Sequence, residues 1–158
     1  MTVNAETTVR RSIVVDAPIA RAFTFFTRDI GAWWPADHHL LAEPVAEMVF
    51  EPHVGGHIID RGINGAENRW ARVLVFDPPT RVVFSWDISL DWQIEPDPTR
   101  TSEVHVTFAP AEDERTLVVL EHRHLDRHGD GWQAMRDAVG SPQGWDLTPF
   151  ATAITRTT

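Results

Sequence analysis

The sequence predicts an α+β protein: a curved antiparallel sheet of six or seven strands, with helices on one face and two short helices directly after the first strand. Three observations predict it. Apolar alternation punctuated by turn residues runs from Glu43 to Arg123. Helical spacing precedes that stretch at Ile19, Ala22, Phe23 and Phe26, and returns after Gly129 at Trp132, Met135 and Val139. The connections between strands are too short for crossover helices, which excludes a parallel βαβ arrangement.

Each element has its own signal. "TVRRSIVVD" (8–16) is short and β-branched, a strand. A helix follows near Pro18 to Thr27, with Asp16 as the expected cap and Pro18 suited to its first turn. Gly31 and Pro35 interrupt the pattern and leave room for a second short helix ending near Trp34. "PVAEMVFEP" alternates until Pro52, and "VGGHIIDRG" turns at Gly55-Gly56 and runs on as a strand. "NGAENRWARVLVFDPPTRVVFSWDI" reads as strand, tight turn at Asp77-Pro78-Pro79-Thr80, strand. A Pro-rich connection leads to the last hairpin, "SEVHVTFAP" and "RTLVVLEHRHL", around the acidic loop "AEDE". Charge sets its register: Glu103 opposite Arg123 and His105 opposite Glu121, which places Val104, Val106 and Phe108 against His122, Leu120 and Val118. After the helix of Trp132, Gly140 is the expected stop, and Ser141-Pro142 begins a last helix carrying Trp145, Phe150 and Ile154.

The 158 residues suit one domain spanning 1–158. A 42% hydrophobic and 23% charged composition is that of an ordinary globular protein. No apolar run reaches membrane-spanning length, and the polar N-terminus lacks a signal-peptide core. There is no cysteine, so no disulfide framework; a cytoplasmic location is expected. A net charge of −9 repels phosphate backbones, which argues against nucleic-acid partners; no membrane partner is expected either. Lysine is absent and every basic side chain other than histidine is arginine, which reads as codon bias.

The segments "DAPIARAFTFFT", "WWP", "FEPHVGGHI", "ARVLVFDPPTRVVFSW", "SEVHVTF", "LEHRHLDRHGDGW" and "SPQGW", in this order, resemble the activator-of-heat-shock-protein-90-ATPase-like (AHSA-type) family of the SRPBCC (START/Bet v 1-like) superfamily. The resemblance covers roughly Val9 to Ile154. It implies the helix-grip fold, in which the curved sheet wraps around a C-terminal helix and a hydrophobic cavity lies beneath that helix. It implies no shared catalytic set.

The histidines of "LVVLEHRHLDRHGDGWQAM" invite a metal reading, which the spacing does not support. His122 and His124 share a strand row with Val118 and Leu120, but zinc needs a third ligand, and His105 falls on the opposite row. No metal and no cofactor are expected. His124 and His128 are read as exposed. His122 is either a hydrogen-bonded core histidine or a polar group on the cavity wall. Candidate ligand contacts come from each inward-facing row: Phe26 on the first helix; Phe50, Trp70 and Trp86 on strands; Trp132 and Met135 on the helix stripe. Trp33 joins them at the cavity mouth, where one of the pair Trp33-Trp34 serves only as an anchor; Arg136, beside Met135, is within reach of an acidic ligand group, with a solvated arginine as the commoner use of such a position. Glu51, Asp60 and Asp77 read as turn or surface carboxylates. No Ser-His-Asp spacing, phosphate loop or paired-carboxylate motif stands out.

The leading functional expectation is therefore a binding protein for a small, largely apolar or aromatic molecule held between sheet and C-terminal helix. It ranks ahead of an enzyme. An enzyme of the polyketide aromatase/cyclase type is the first alternative, with His122 as its acid–base group. A protein-interaction or chaperone-regulator domain is the second. A homodimer is compatible with all three.

Overall fold

The computed structural model describes residues 5–156; the first four residues of the polar N-terminal stretch lie outside the described part. Seven strands form one antiparallel sheet in the order β1-β7-β6-β5-β4-β3-β2. They are β1 (Val9–Val15), β2 (Val45–Phe50), β3 (His57–Gly62), β4 (Glu67–Asp77), β5 (Arg81–Trp86), β6 (Ser102–Ala111) and β7 (Arg115–Arg123). Helices α1 (Ile19–Thr27), α2 (Trp132–Val139) and α3 (Thr148–Arg156) complete the fold. This is the helix-grip arrangement, with its C-terminal helix divided into two short pieces. Among the described residues no helix is long and apolar enough to cross a membrane.

The last hairpin has the register that charge pairing predicts, with Glu103 opposite Arg123, Val104 opposite His122 and His105 opposite Glu121. Its inner row, Val104, Val106, Phe108, Val118, Leu120 and His122, is buried throughout. The turn at 77–80 closes with the Thr80 N–H donating to the Asp77 carbonyl at 2.9 Å. Helix α1 buries Ala22, Phe23 and Phe26 as its spacing predicts, and also Phe25, which meets Phe150 of α3 at 6.0 Å between ring centres.

Three local expectations are corrected. Asp16 does not cap α1; Pro18 occupies the flanking position in extended conformation, and no side chain bonds the helix start. The second helix is a single 3-10 turn, Ile30–Ala32. No helix starts at Ser141-Pro142. The Trp145 N–H returns instead to the Val139 carbonyl at 2.7 Å, closing a loop, and α3 begins at Thr148, whose N–H bonds the Asp146 carboxylate at 2.9 Å.

The concave face of the sheet is filled at one end. Phe26 packs edge-on to Phe108 and Phe150, Phe23 does the same to Phe76 and Phe108, and Trp33 closes against Phe26 and Phe150. Offset and edge-to-face contacts of this kind are the favoured aromatic geometry. At the other end, tryptophans replace phenylalanines and the packing opens.

Candidate functional site

That opening begins with a backbone irregularity. Ile58 pairs with Ala71 and Ile59 with Arg69, so Trp70 is an extra residue in β4. A second irregularity leaves Leu74 without a partner between Val73 and Val75. Bulges bend a strand and re-aim its side chains. Trp70 and Ala71 are consequently both buried, although neighbours in a regular strand point to opposite faces.

Re-aimed, Trp70 joins three other indoles in a closed ring. Trp34 lies 5.2 Å from Trp70, Trp70 5.6 Å from Trp86, Trp86 5.7 Å from Trp145, and Trp145 5.6 Å from Trp34, between ring centres. With Trp92, Leu40, Ile88 and Val139 they wall an open cleft of about 280 Å³. That is just below the range usual for small-molecule sites, about 300–1,000 Å³. Helix α2 contributes only its C-terminal end, Ala138 and Val139; the loop after it supplies Gln143, Gly144 and Trp145. Arg11 of β1 holds this loop, donating to the carbonyls of Gly140 at 2.7 Å and Trp145 at 3.2 Å.

The polar atoms of the cleft are incompletely satisfied. Trp70 Nε1, Trp86 Nε1 and His39 Nδ1 are buried without a hydrogen-bond partner in the protein. A buried polar atom left so costs about 1–3 kcal/mol. Asp60 stands among them. It is only 3% exposed, faces Met48 across the β2–β3 pair, and lines the cleft beside Trp70 and His39. Burial pushes its carboxyl up to about 6; nearby Trp70 and His39 oppose that rise only in part. Trp70 Nε1 lies close enough to favour the carboxylate without reaching hydrogen-bonding geometry. Asp60 is thus no surface or turn carboxylate. Its position two residues after Ile58, on the same strand row, was the readable signal.

Behind the cleft runs a second polar assembly. The Trp145 Nε1–H donates to His122 Nδ1 at 3.0 Å. Indole is a donor only, so His122 Nδ1 is bare and its proton sits on Nε2, which meets Ser102 Oγ at 2.7 Å. Ser102 in turn donates to His128 Nε2 at 2.7 Å, leaving the His128 proton on Nδ1, which is buried without a partner. Both imidazoles are therefore neutral. Desolvation, with His128 adding to it, lowers the His122 pKa to about 3, and desolvation lowers that of His128 as well. His128 is buried, not exposed as expected, because the 3-10 turn Leu125–His128 folds it back onto Ser102. Among the described residues no three His, Asp or Glu side chains converge as a metal-ligand set.

The predicted site residues separate into groups. Trp70 and Trp86 line the cleft. His122 lies behind Trp86 and Trp145, with both ring nitrogens engaged by protein, so it offers the cleft no polar group. Phe26, Phe50 and Met135 are buried core, and Trp33 is an anchor whose Nε1 bonds the Phe25 carbonyl at 3.2 Å; its neighbour Trp34 takes the place at the cleft. Trp132 and Arg136 pair with each other, the guanidinium 5.2 Å over the indole; neither lines the cleft, which α2 meets at Ala138 and Val139. Arg136 is further held by Asp137 and the Glu6 carbonyl. Sequence reasoning named Trp34 only as one of the pair at the cavity mouth and missed His39, Asp60 and Trp145 as cleft residues.

A family profile described as Activator of Hsp90 ATPase homolog 1-like protein matches residues 16–148. A search of curated proteins returns no match. Among solved structures, the chain is similar to an anthrahydroquino-γ-pyrone synthase, Txn09, complexed with SUM: 39% identity, 95% of this chain and 99% of that chain covered, TM-score 0.67. It is similar to CalC from Micromonospora echinospora, described as a self-sacrificing resistance protein, at 25% identity, 97% of each chain covered and TM-score 0.69. A protein from Nitrosomonas europaea, NE0264, shares the fold over the full length of both chains at 11% identity and TM-score 0.70.

Proposed function

The chain belongs to the Activator of Hsp90 ATPase homolog 1-like family, and from that premise we propose that it binds a small, planar, oxygen-bearing aromatic molecule of polyketide type in the tryptophan-walled cleft. One observation carries the reading: three buried nitrogens without protein partners are set among a ring of indoles. Indole faces favour flat aromatic rings. Burying such rings releases roughly 25 cal/mol per Å² of apolar area before ordering costs are subtracted. The two indole N–H groups can only donate, so the complementary ligand atoms are acceptors, carbonyl or quinone oxygens. The ligand is then less apolar than composition alone suggested.

Fluorescence titration with a hydroxyanthraquinone tests this. Saturable one-to-one quenching is expected, with unsubstituted anthracene binding more weakly. Trp86→Phe, which keeps an aromatic ring and deletes the donor, should weaken hydroxyanthraquinone binding roughly 2- to 12-fold, the equivalent of one hydrogen bond of about 0.5–1.5 kcal/mol. Equal affinity for anthracene and the quinone would count against the acceptor requirement.

A second reading is favoured by a specific comparison. The neighbour at 39% identity over nearly the whole chain is named as a γ-pyrone synthase, and the cleft contains a carboxyl that burial holds near neutral pH. Both support an enzyme that closes an oxygen heterocycle on an aromatic polyketide. That activity would use the same cleft and the same ligand chemistry.

A further inference from the structure

Resting on the ring-closing reading, we propose that Asp60 is the proton-transfer residue of a dehydrative closure, with the Trp70 and Trp86 indole N–H groups holding the reacting ketone. The geometry points to Asp60 because, among the described residues, it is the one carboxyl at the cleft that comes from a strand and is buried. Asp37, also at the cleft, is exposed and comes from the loop between α1 and β2, as do His38 and His39. The strands flanking Asp60 place Met48 and Asn68 opposite it. The nearby charges Glu47, Arg61 and Glu67 bond one another in an exposed cluster. Among the described residues Asp60 forms no ion pair with an arginine; His39 is the basic group that acts on it, and both line the cleft.

The substrate class follows from the reaction. It is a flat aromatic carrying a phenol beside a 1,3-diketone chain. The phenol oxygen bonds to the distal ketone carbon as that carbonyl π bond opens, and the phenol proton ends on the former carbonyl oxygen, giving a cyclic hemiketal. Protonated Asp60 then gives its proton to the hemiketal hydroxyl, the C–O bond breaks, and water leaves. The Asp60 carboxylate takes the proton from the adjacent carbon as the ring double bond forms, which restores the acid. One water is lost, and nothing is oxidised or reduced. Donors aimed at the ketone oxygen stabilise the charge that develops there.

The test uses the full chain and a synthetic hydroxyanthraquinone bearing an ortho 1,3-diketone chain. Water loss is followed by mass spectrometry and binding by fluorescence. For the parent, turnover should fall as pH rises through about 6, because the acid must be protonated. Asp60→Asn should lose roughly 10²-fold or more in turnover while its affinity changes less than about twofold, an effect smaller than one lost hydrogen bond. Formate should restore part of the turnover of Asp60→Ala, a response that a purely structural role would not give. Turnover within threefold of the parent in Asp60→Asn, or a parent rate that does not respond to pH near 6, overturns Asp60 and leaves the ring-closing reading standing. Binding of the probe without water loss by the parent overturns that reading and Asp60's role together, leaving a binding protein.

Discussion

Asp60 carries a charge that its surroundings disfavour, and the consequence is visible in stability as well as chemistry. Its folded pKa, about 6, lies above the ordinary 3.8, so the folded state holds the proton more tightly than the unfolded chain does. Stability from this residue is full below about pH 4, declines as pH rises to about 6, and is lost above that. The displacement corresponds to about 3 kcal/mol. Asp60→Asn, uncharged throughout, should match the parent in urea unfolding at about pH 4 and exceed it by up to about 3 kcal/mol at about pH 8. A gain from removing a carboxylate would agree with the proposed proton-transfer use of Asp60. His122 runs the other way. Its folded pKa, about 3, lies below 6.5, so its contribution is present above pH 6.5 and is lost as pH falls toward 3. His122→Ala would leave Trp145 Nε1 without its acceptor, take from Ser102 Oγ one of its two partners, and open a cavity; a loss of about 2–5 kcal/mol is expected by thermal or urea unfolding at neutral pH. The sequence showed that His122 faces inward, since its row includes Val118 and Leu120. It did not show that Trp145 and Ser102, distant along the chain, would occupy both ring nitrogens, and so it assigned to His122 the polar role proposed above for Asp60.

Among the elements, regular alternation was readable and its interruptions were not. The β6–β7 hairpin follows from its charges and apolar row, and its register came out as those charges require. The extra residues Trp70 and Leu74 carry no comparable mark, because "RWARVLVF" alternates well enough to pass for an unbroken strand. The loop from Gly140 to Leu147 was hidden for a similar reason: Ser141-Pro142 is a common helix opening, and only tertiary contacts reveal the return to Val139. Gly144 is required in that loop. A Cβ there would lie 2.1 Å from the Val139 carbonyl oxygen and 2.6 Å from that of Ala138, both backbone atoms that cannot swing aside. Gly144→Ala should cost about 1–3 kcal/mol or more in unfolding experiments. It should also shift Trp145 and weaken hydroxyanthraquinone quenching, whereas a substitution on the exposed face of α3 should change neither.

For the molecule as a whole, helix-grip topology was legible because it is written in many weak, ordered signals: one strand, helical spacing, a long run of strands, then helix again. The location of the cleft was not, because it depends on which end of the concave face is filled. Phenylalanines from α1, β4, β6 and α3 interlock at one end, and tryptophans from β4, β5 and two loops leave space at the other. This segregation gives the scaffold room to diversify. Substitutions among the indoles and their loops can reshape the cleft without loosening the phenylalanine end, and changes at that end bear on packing alone. Inheritance can act on the two ends separately, which suits an architecture that persists at 11% identity in one chain and at 39% in another.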